Sequence, residues 1–442
     1  MGSLELNADD YSTSRVPASA RRPWFGVAIQ RFGQVSDLSQ FLLGATLGFG
    51  MTFWNAFWAL TLGAVVFEVL AILTGIIGVR EGLNTSLLAR WTGFGRAGSA
   101  LLAVAISVSL IGWFGIQSGI SAVGLHQLMP GLSTPMWAIL FGLLITMIVI
   151  RGFDSMQWVA NVTVPLFLIL VGWAVVTGLS GQSITKLIEQ APSGPEMSLV
   201  TGATIVAGSF IVGSVITPDM TRHNRSVADV VKQTLIGITL GEYTIGMVGV
   251  LLAHAVKSDD ITAIIFTSVG WVGVLVIVLG TAKINDWNLY SSSLGFVNIA
   301  DVLFGVRLNR GMVTAVIGTV GTALAAAGFL ERFVDFLIIL GVAFPPVAGI
   351  MIAEYFVVKK WRPSLEETRA KGNLPAETPN WVPATLVIWL ASSLIGYYVT
   401  FGMPALNSVV AAFLLYILAG RLGLLASIGN TSTTDDLADS HL

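Results

Sequence analysis

Apolar runs of about twenty residues recur along the whole of this 442-residue chain, and they limit its possible folds more than any other feature. A run of that length forms a helix long enough to cross a hydrocarbon layer about 30 Å thick. Hydrophobic residues make up 54% of the chain and charged residues 11%, against about 25% charged residues in soluble domains. The sequence therefore predicts an all-α polytopic membrane protein.

Windowed hydropathy predicts about twelve transmembrane helices. Their approximate limits are 32–51, 57–79, 98–124, 135–150, 157–179, 198–217, 231–256, 265–293, 312–329, 333–358, 382–401 and 404–421. Basic residues concentrate in the loops after even-numbered spans and are few on the other side. They are Arg80, Arg90, Arg96, Arg151, Arg222, Arg225, Lys232, Arg307, Arg310, Lys359, Lys360, Arg362 and Arg421. This asymmetry predicts a multi-pass plasma-membrane protein with both termini in the cytoplasm.

Two glycine-rich clusters occupy matching places five spans apart. One covers 33–50 in the first span, with polar residues near its start, and the other covers 202–214 in the sixth span. Paired, interrupted helices at corresponding points of two halves are typical of inverted-repeat transporters. A broken helix exposes backbone polar groups, which are tolerated in a membrane only where they line a cavity. Because five is odd, the two halves have opposite topology.

This repeat defines the predicted organisation of the chain. Residues 1–27 form a cytoplasmic N-terminal arm, 28–180 the first five-helix repeat and 195–360 the second, inverted repeat. Residues 380–422 supply two additional transmembrane helices. The segment 423–442 is rich in Ser, Thr and Asp towards its end, which predicts a disordered cytoplasmic tail.

A few charged residues lie deep inside predicted spans. Lys283 interrupts the long apolar stretch 264–290, and such a lysine costs roughly 3 kcal/mol on insertion scales, so it requires a partner or a function. Asp37 is a second deep charge, in the first span. Glu242, in the seventh span, is a candidate proton-relay group, and Glu68 is expected nearer the cytoplasmic end of the second span.

The composition also excludes several kinds of site. The chain has no cysteine, and its four histidines are scattered without metal-ligand spacing. An intramembrane nucleophile with a base, or a metal cluster, is therefore missing, and the sequence predicts neither an enzyme nor a cofactor. No basic patch with interleaved aromatic residues indicates a nucleic-acid partner; the predicted partners are the lipid bilayer and a small molecule.

Short strings along the chain carry a family resemblance. They are Val16-Pro-x-Ser-Ala-Arg21 in the arm, Gly112-Trp-Phe-Gly115 in span three, Gly208-Ser-Phe210 and Thr217-Pro-Asp219 in span six, Asn285-Asp286 in span eight and Phe344-Pro-Pro-Val347 in span ten. In these strings and their order, the chain resembles the purine–cytosine permeases, or nucleobase:cation symporters. The resemblance implies a LeuT-type five-plus-five inverted repeat plus two helices, and secondary active uptake of a nucleobase-like ring, with a bacterial inner membrane as location.

The resemblance also implies a substrate site. Trp113 and Phe210 would hold a flat ring between them, and Gln117, one helical turn after Trp113, would bind its polar edge because an amide both donates and accepts. The further implied substrate residues are Ser209, Asn285, Asn288 and Gln40. Cytosine permeases carry a glutamine where this chain has Leu110 and a serine where it has Val212. The ring therefore stays open among cytosine, a purine, uracil, allantoin, a hydantoin and a vitamin-like heterocycle.

Alignment with sodium-coupled relatives implies a change at the ion site. The four sodium-site positions fall on Gly33, Asp37, Lys283 and Ile284. Isoleucine cannot ligate a cation and the lysine ammonium would repel one, so we expect no sodium here and a Lys283–Asp37 ion pair instead. Transport would then be proton-coupled or sodium-independent. The alternatives are a sodium-coupled cytosine or purine symporter and, from another class, a substrate receptor or channel with a transporter fold.

A last pair lies at the inner end of span six. Asp219 and Arg222 follow Thr217-Pro218 and stand three positions apart. This position favours a gate or a loop-fixing pair over substrate ligands.

Overall fold

A computed structural model describes residues 11, 14–36, 38–151, 166, 169, 172–173, 175–177, 179–306 and 308–432. Within these residues, six helical segments are long and apolar enough to cross a membrane: Phe53–Glu81, Thr85–Leu128, Val227–Val256, Val272–Val297, Phe329–Val358 and Pro404–Arg421. Five shorter apolar helices accompany them. Together they match the predicted spans apart from the fifth, 157–179, most of which lies outside the described residues.

The first half of the described chain begins with a broken helix. Its elements are α1 (Trp24–Val35), α2 (Leu38–Gly50), α3 (Phe53–Glu81), α4 (Thr85–Ala89), α5 (Gly95–Leu128) and α6 (Thr134–Ile150). The Thr52 hydroxyl accepts a hydrogen bond from the Asn55 N–H and caps the start of α3, while Gly82 ends it with φ of 66°. α4 and α5 are joined by a turn in which Gly93 has φ of 110°, a conformation that favours glycine.

The second half contains the remaining elements. They are α7 (Ile184–Glu189), α8 (Leu199–Val215), α9 (Thr217–Thr221), α10 (Val227–Gly241), the π-helical segment Glu242–Gly246, α11 (Met247–Val256), α12 (Ile261–Val269), α13 (Val272–Phe304), α14 (Arg310–Ala326), α15 (Phe333–Ala343), α16 (Pro345–Ile352), α17 (Arg362–Arg369), β1 (Glu377–Trp381), α18 (Pro383–Tyr398), α19 (Pro404–Arg421) and β2 (Ile428–Ser432). α10, the π-helical segment and α11 form one continuous span.

The two glycine clusters behave differently. The first span is interrupted as expected, because α1 ends at Val35 and α2 begins at Leu38. The interruption expected within 202–214 is wrong: α8 runs unbroken from Leu199 to Val215, and the chain bends only at Ile216. The physical reason is packing, since a Cβ on Gly208 would overlap the carbonyl oxygen of Leu337 in α15. Small residues in this cluster allow two helices to approach closely.

The C-terminal segment is also more ordered than expected. β2 pairs antiparallel with β1, with Trp381 opposite Ile428. The prediction of a disordered tail over 423–442 is therefore wrong for Ile428–Ser432, because its backbone groups find partners in a preceding strand. Residues 433–442 lie outside the described residues.

The outer surface of the helices is apolar, as a lipid environment requires. On α18, Val387 and Leu390 are 67% and 64% exposed, and Leu414 on α19 is 58% exposed. Polar and charged residues are instead buried between helices, among them Gln117, Glu242 and Asn285. The polar interior identifies where a functional site can lie, because intramembrane polar groups are costly unless they have partners or a function.

Candidate substrate and coupling site

Trp113 stands at the middle of α5 with its indole held by aromatic rings of α15. It is 9% exposed and makes edge-to-face contacts with Phe333 (centroids 6.2 Å apart) and Phe336 (5.4 Å apart). These contacts orient the indole. Phe333 and Phe336 were not identified from the sequence as part of this site, because their spacing within an apolar run carries no signal beyond ordinary core packing.

Gln117 lies one helical turn after Trp113 and is fully buried. Neither its Oε1 nor its Nε2 has a hydrogen-bond partner in the described part of the chain. A buried amide left without partners costs about 1–3 kcal/mol. Such a group beside an aromatic ring is the arrangement expected where a ligand with a polar edge completes the hydrogen bonds.

Phe210 is on α8, in a different cluster from Trp113. It is half-buried and packs on Val35, Phe67 and Ile238. Among the ring contacts of the described residues, none joins Phe210 to Trp113. The adjacent Ser209 donates its hydroxyl to the Val206 carbonyl at 2.6 Å. The expected clasp of a ring between Trp113 and Phe210 therefore stays a prediction.

Asn285 and Asn288 belong to a polar seam between α13 and α5. The Asn285 Nδ2 donates to the Phe114 carbonyl (3.2 Å) and to the Ser118 hydroxyl (2.9 Å). Asn288 donates to the Asn285 Oδ1 at 3.4 Å. The seam continues with hydrogen bonds between Ser292 and the Ser107 carbonyl and between Ser121 and Thr281. It places the Asn285 amide against Ser118, the residue after Gln117, and the Asn288 amide against Asn285. The role of both amides towards substrate stays a prediction.

The break in the first span lies beside the seventh span. Gln40, early in α2, is buried and donates to the main-chain carbonyl of Glu242 at 3.4 Å. Arg31 in α1 is also fully buried, and its Nη2 donates to the Thr217 hydroxyl at 2.9 Å. The sequence analysis did not single out Arg31, because it precedes the first predicted span, but a charge at the edge of an apolar run was an available signal.

The structure describes only some of the residues of the expected ion site. Lys283 and Ile284 are half-buried in α13, and Gly33 lies in α1. Asp37 lies outside the described residues, so the Lys283–Asp37 contact and the loss of a sodium site stay predictions. Asp286, one helical turn after Lys283, is 3% exposed. Within the described part of the chain, no group of three His, Cys, Asp or Glu residues is suited to a metal ion.

Two buried carboxyl groups lie in the second and seventh spans. Glu242 is 1% exposed and Glu68 is 8% exposed. Glu68 accepts a hydrogen bond from the Thr239 hydroxyl at 2.7 Å. It is the sixteenth of the 29 residues of α3, close to the middle of that helix. Its position relative to the cytoplasmic end stays a prediction.

The predicted gate residues connect loops at one end of the bundle. Asp219 Oδ1 accepts a hydrogen bond from the Thr85 N–H at 2.7 Å, at the start of α4. Arg222 donates a hydrogen bond to the Tyr11 carbonyl at 2.7 Å. Burial raises the pKa of Asp219 above its usual value, while the hydrogen bond from Thr85 and the charge of Arg222 oppose this rise. These contacts fix loops; a gating role stays a prediction.

A charged cluster at the same end was not found from the sequence. Glu81 accepts hydrogen bonds from Arg15 (2.9 Å), Arg369 (2.5 Å) and the Tyr355 hydroxyl (2.5 Å). The Glu81 side chain is fully buried. Its partners come from the N-terminal arm, from α17 and from the end of the tenth span, segments that no sequence motif relates to one another.

The sequence of this chain is similar to those of known permeases over most of its length. A family model described as a permease for cytosine/purines, uracil, thiamine and allantoin matches residues 16–423. The cytosine permease of Escherichia coli (strain K12) is 28% identical over 415 residues, which cover 93% of this chain and 94% of the relative. The hydantoin permease of Microbacterium maritypicum is 25% identical over 434 residues, covering 92% and 86%.

A solved structure shares the fold. The inward-facing conformation of Mhp1 superposes with a TM-score of 0.78 at 19% identity and covers 94% of this chain and 97% of that one. The predicted fold class is confirmed, with a helix count consistent with about twelve spans. The expectation that the chain is no enzyme agrees with a family made of permeases. The chain belongs to the family of permeases for cytosine/purines, uracil, thiamine and allantoin.

Proposed function

We propose that this protein is a secondary active transporter that imports a nucleobase or a related planar heterocycle by alternating access. The relatives named for cytosine and for hydantoin support a small ring with adjacent polar atoms as substrate. We place it in a bacterial inner membrane with both termini cytoplasmic, because basic residues follow the even-numbered spans.

The main observation that supports this class of substrate is the buried amide of Gln117 beside Trp113. An indole offers a flat apolar surface, and an amide offers one acceptor and two donors at a fixed distance from it. A cyclic amide or amidine ring complements both features at once. Phe210, Ser209, Asn285, Asn288 and Gln40 complete the proposed site. Asp219 and Arg222 serve as its cytoplasmic gate in this proposal.

We further propose that transport does not use sodium at the usual position. The ammonium of Lys283 in α13 supports this, since a cation bound beside it would be repelled. In the proposal Lys283 pairs with Asp37, and Glu242 is a further coupling group. Sodium-coupled symport is the second candidate, because the family resemblance includes sodium-dependent members.

Counterflow in proteoliposomes tests the transport function. Liposomes containing the purified protein are loaded with an unlabelled ring, and uptake of its radiolabelled form is followed for cytosine, uracil, hypoxanthine, allantoin and hydantoin. A transporter exchanges at least one of them, and exchange persists when choline replaces sodium. Saturable binding without exchange would identify a receptor, ion conductance without exchange a channel, and loss of exchange in choline a sodium-coupled symporter.

A further inference from the structure

Glu242 is buried in an arrangement that an ionised carboxylate cannot tolerate. It is 1% exposed, and neither of its carboxyl oxygens has a hydrogen-bond partner among the described residues. It stands at the first position of the π-helical segment Glu242–Gly246, a form of helix that often marks functional sites. An unpaired charge in such a place is so costly that the group takes up a proton instead.

The charged and titratable groups around Glu242 favour the same state. From α3, the carboxyl group of Glu68 is close enough for its charge to act on Glu242. α2 contributes no titratable residue between Leu38 and Gly50. Arg31 of α1 packs against Gly237, more than one turn before Glu242, and directs its guanidinium to Thr217. The Tyr243 hydroxyl turns to Thr61 on α3.

The seventh span, which contains Glu242, packs against the first span at its break between Val35 and Leu38. A Cβ on Gly241 would collide with Val35, the last residue of α1, and one on Gly44 in α2 would overlap the carbonyl of Gly246. The two halves of the first span therefore pack directly against Gly241 and Gly246, on either side of Glu242 in the seventh span. A separation of the first span from the seventh would remove this packing next to the buried carboxyl group.

We propose that Glu242 is the proton-binding site of the transporter, with Glu68 as its electrostatic partner. This inference rests on the proposed transport function. One proton from the outer solution converts the Glu242 carboxylate to the carboxylic acid, and the same proton leaves to the cytoplasm when the first span moves away. Glu68 strengthens proton binding because two neighbouring carboxylates resist joint ionisation.

Proteoliposomes carrying the wild type, Glu242→Gln, Glu68→Gln or the control Glu331→Gln test the proposal. Glu331 is an exposed residue on the short 3-10 helix Phe329–Arg332, far from the pair along the chain. Two assays use radiolabelled cytosine and hydantoin: counterflow at equal pH, and accumulation driven by an acidic outside. Glu242→Gln is expected to exchange substrate in counterflow. Under an acidic outside, however, its internal substrate concentration should not rise above the external concentration. Glu68→Gln shifts half-maximal accumulation to lower outside pH, and Glu331→Gln behaves as the wild type.

Accumulation by Glu242→Gln equal to that of the wild type would overturn the inference while leaving the transport function intact. If the wild type exchanges neither probe, the transport function fails, and a substrate-free measurement still decides the inference. Infrared difference spectra of the protein at neutral pH are expected to contain the carbonyl stretch of a protonated carboxylic acid that Glu242→Gln removes. A wild-type spectrum without that band, or an unchanged band in a folded variant, rejects the site.

Discussion

At the scale of single residues, the unpaired amide of Gln117 lowers the stability of the ligand-free protein but can form hydrogen bonds with a bound ring. Leucine has nearly the same volume as glutamine and no polar atoms, so Gln117→Leu removes two unpartnered buried groups. We expect the ligand-free variant to be more stable than the wild type by about 1–3 kcal/mol, because the desolvation cost of the amide disappears. Thermal unfolding in detergent measures this change.

The same substitution should abolish the stabilisation that a bound ring confers, since a ligand that binds only the folded state raises its apparent stability by RT ln(1 + [L]/Kd). Gln233→Leu is the matched control, because Gln233 is also fully buried but donates to the Thr234 hydroxyl on α10, away from Trp113. It should keep the ligand-induced shift. A Gln117→Leu protein that is less stable than the wild type, yet still stabilised by the ring, contradicts the assignment.

At the scale of helices, glycine positions decide how closely the sixth and tenth spans pack. A methyl group on Gly208 would overlap the main chain of Leu337, which cannot move away as a flexible side chain could. We expect Gly208→Ala to lower the yield of folded protein and its unfolding temperature. In Gly26→Ala the new methyl group meets nothing within 4 Å, so that helical control should be neutral or slightly stabilised. Equal stability of both variants would show that α8 and α15 can separate at no cost.

The polar seam between α5 and α13 makes a second prediction for helices. A double-mutant cycle of Asn285→Ala and Ser118→Ala isolates their hydrogen bond, which measures 2.9 Å. Interhelical hydrogen bonds in membrane proteins average about 0.6 kcal/mol and reach about 1.7 kcal/mol, so a coupling energy in this range is expected. Ser292→Ala paired with Ser118→Ala provides the control, because Ser292 bonds the Ser107 carbonyl instead. A coupling energy near zero for the first pair would exclude a structural bond between these helices.

These helices also mark the limit of prediction from sequence. Hydropathy located the spans because twenty apolar residues have few alternatives in a membrane. The glycines of 202–214 suggested a break, whereas Gly208 serves a contact with Leu337, and a glycine's neighbour cannot be deduced from its own segment. Trp113 and Gln117 were identified from a local motif. Phe333, Phe336 and Arg31 were not, because their importance depends on residues distant along the chain.

At the scale of the whole molecule, the cluster around Glu81 joins segments separated by most of the sequence. Arg15 also donates to the main-chain carbonyl of Leu365 at 3.1 Å, so the N-terminal arm connects the C-terminal end of α3 with α17. In Glu81→Gln the side chain keeps its shape, but the guanidinium groups of Arg15 and Arg369 lose the carboxylate that they share. Among the described residues, Arg369 keeps only the Glu366 carboxylate at 3.9 Å. Loss of one member of a buried ionic cluster costs about 3–5 kcal/mol.

Glu81→Gln should therefore release the arm and lower the unfolding temperature. Limited proteolysis within residues 14–23 measures the release of the arm, and thermal unfolding measures the loss of stability. Asp335→Asn is the control, because it removes a carboxylate from the exposed Arg332–Asp335 pair, whose side chains are 74% and 63% exposed. An exposed pair contributes at most about 1 kcal/mol, so this variant should retain the protease resistance of the arm. If both variants are cleaved and unfold alike, the arm is held by its main-chain contacts, such as that between the Val16 N–H and the Gly82 carbonyl, and not by charge.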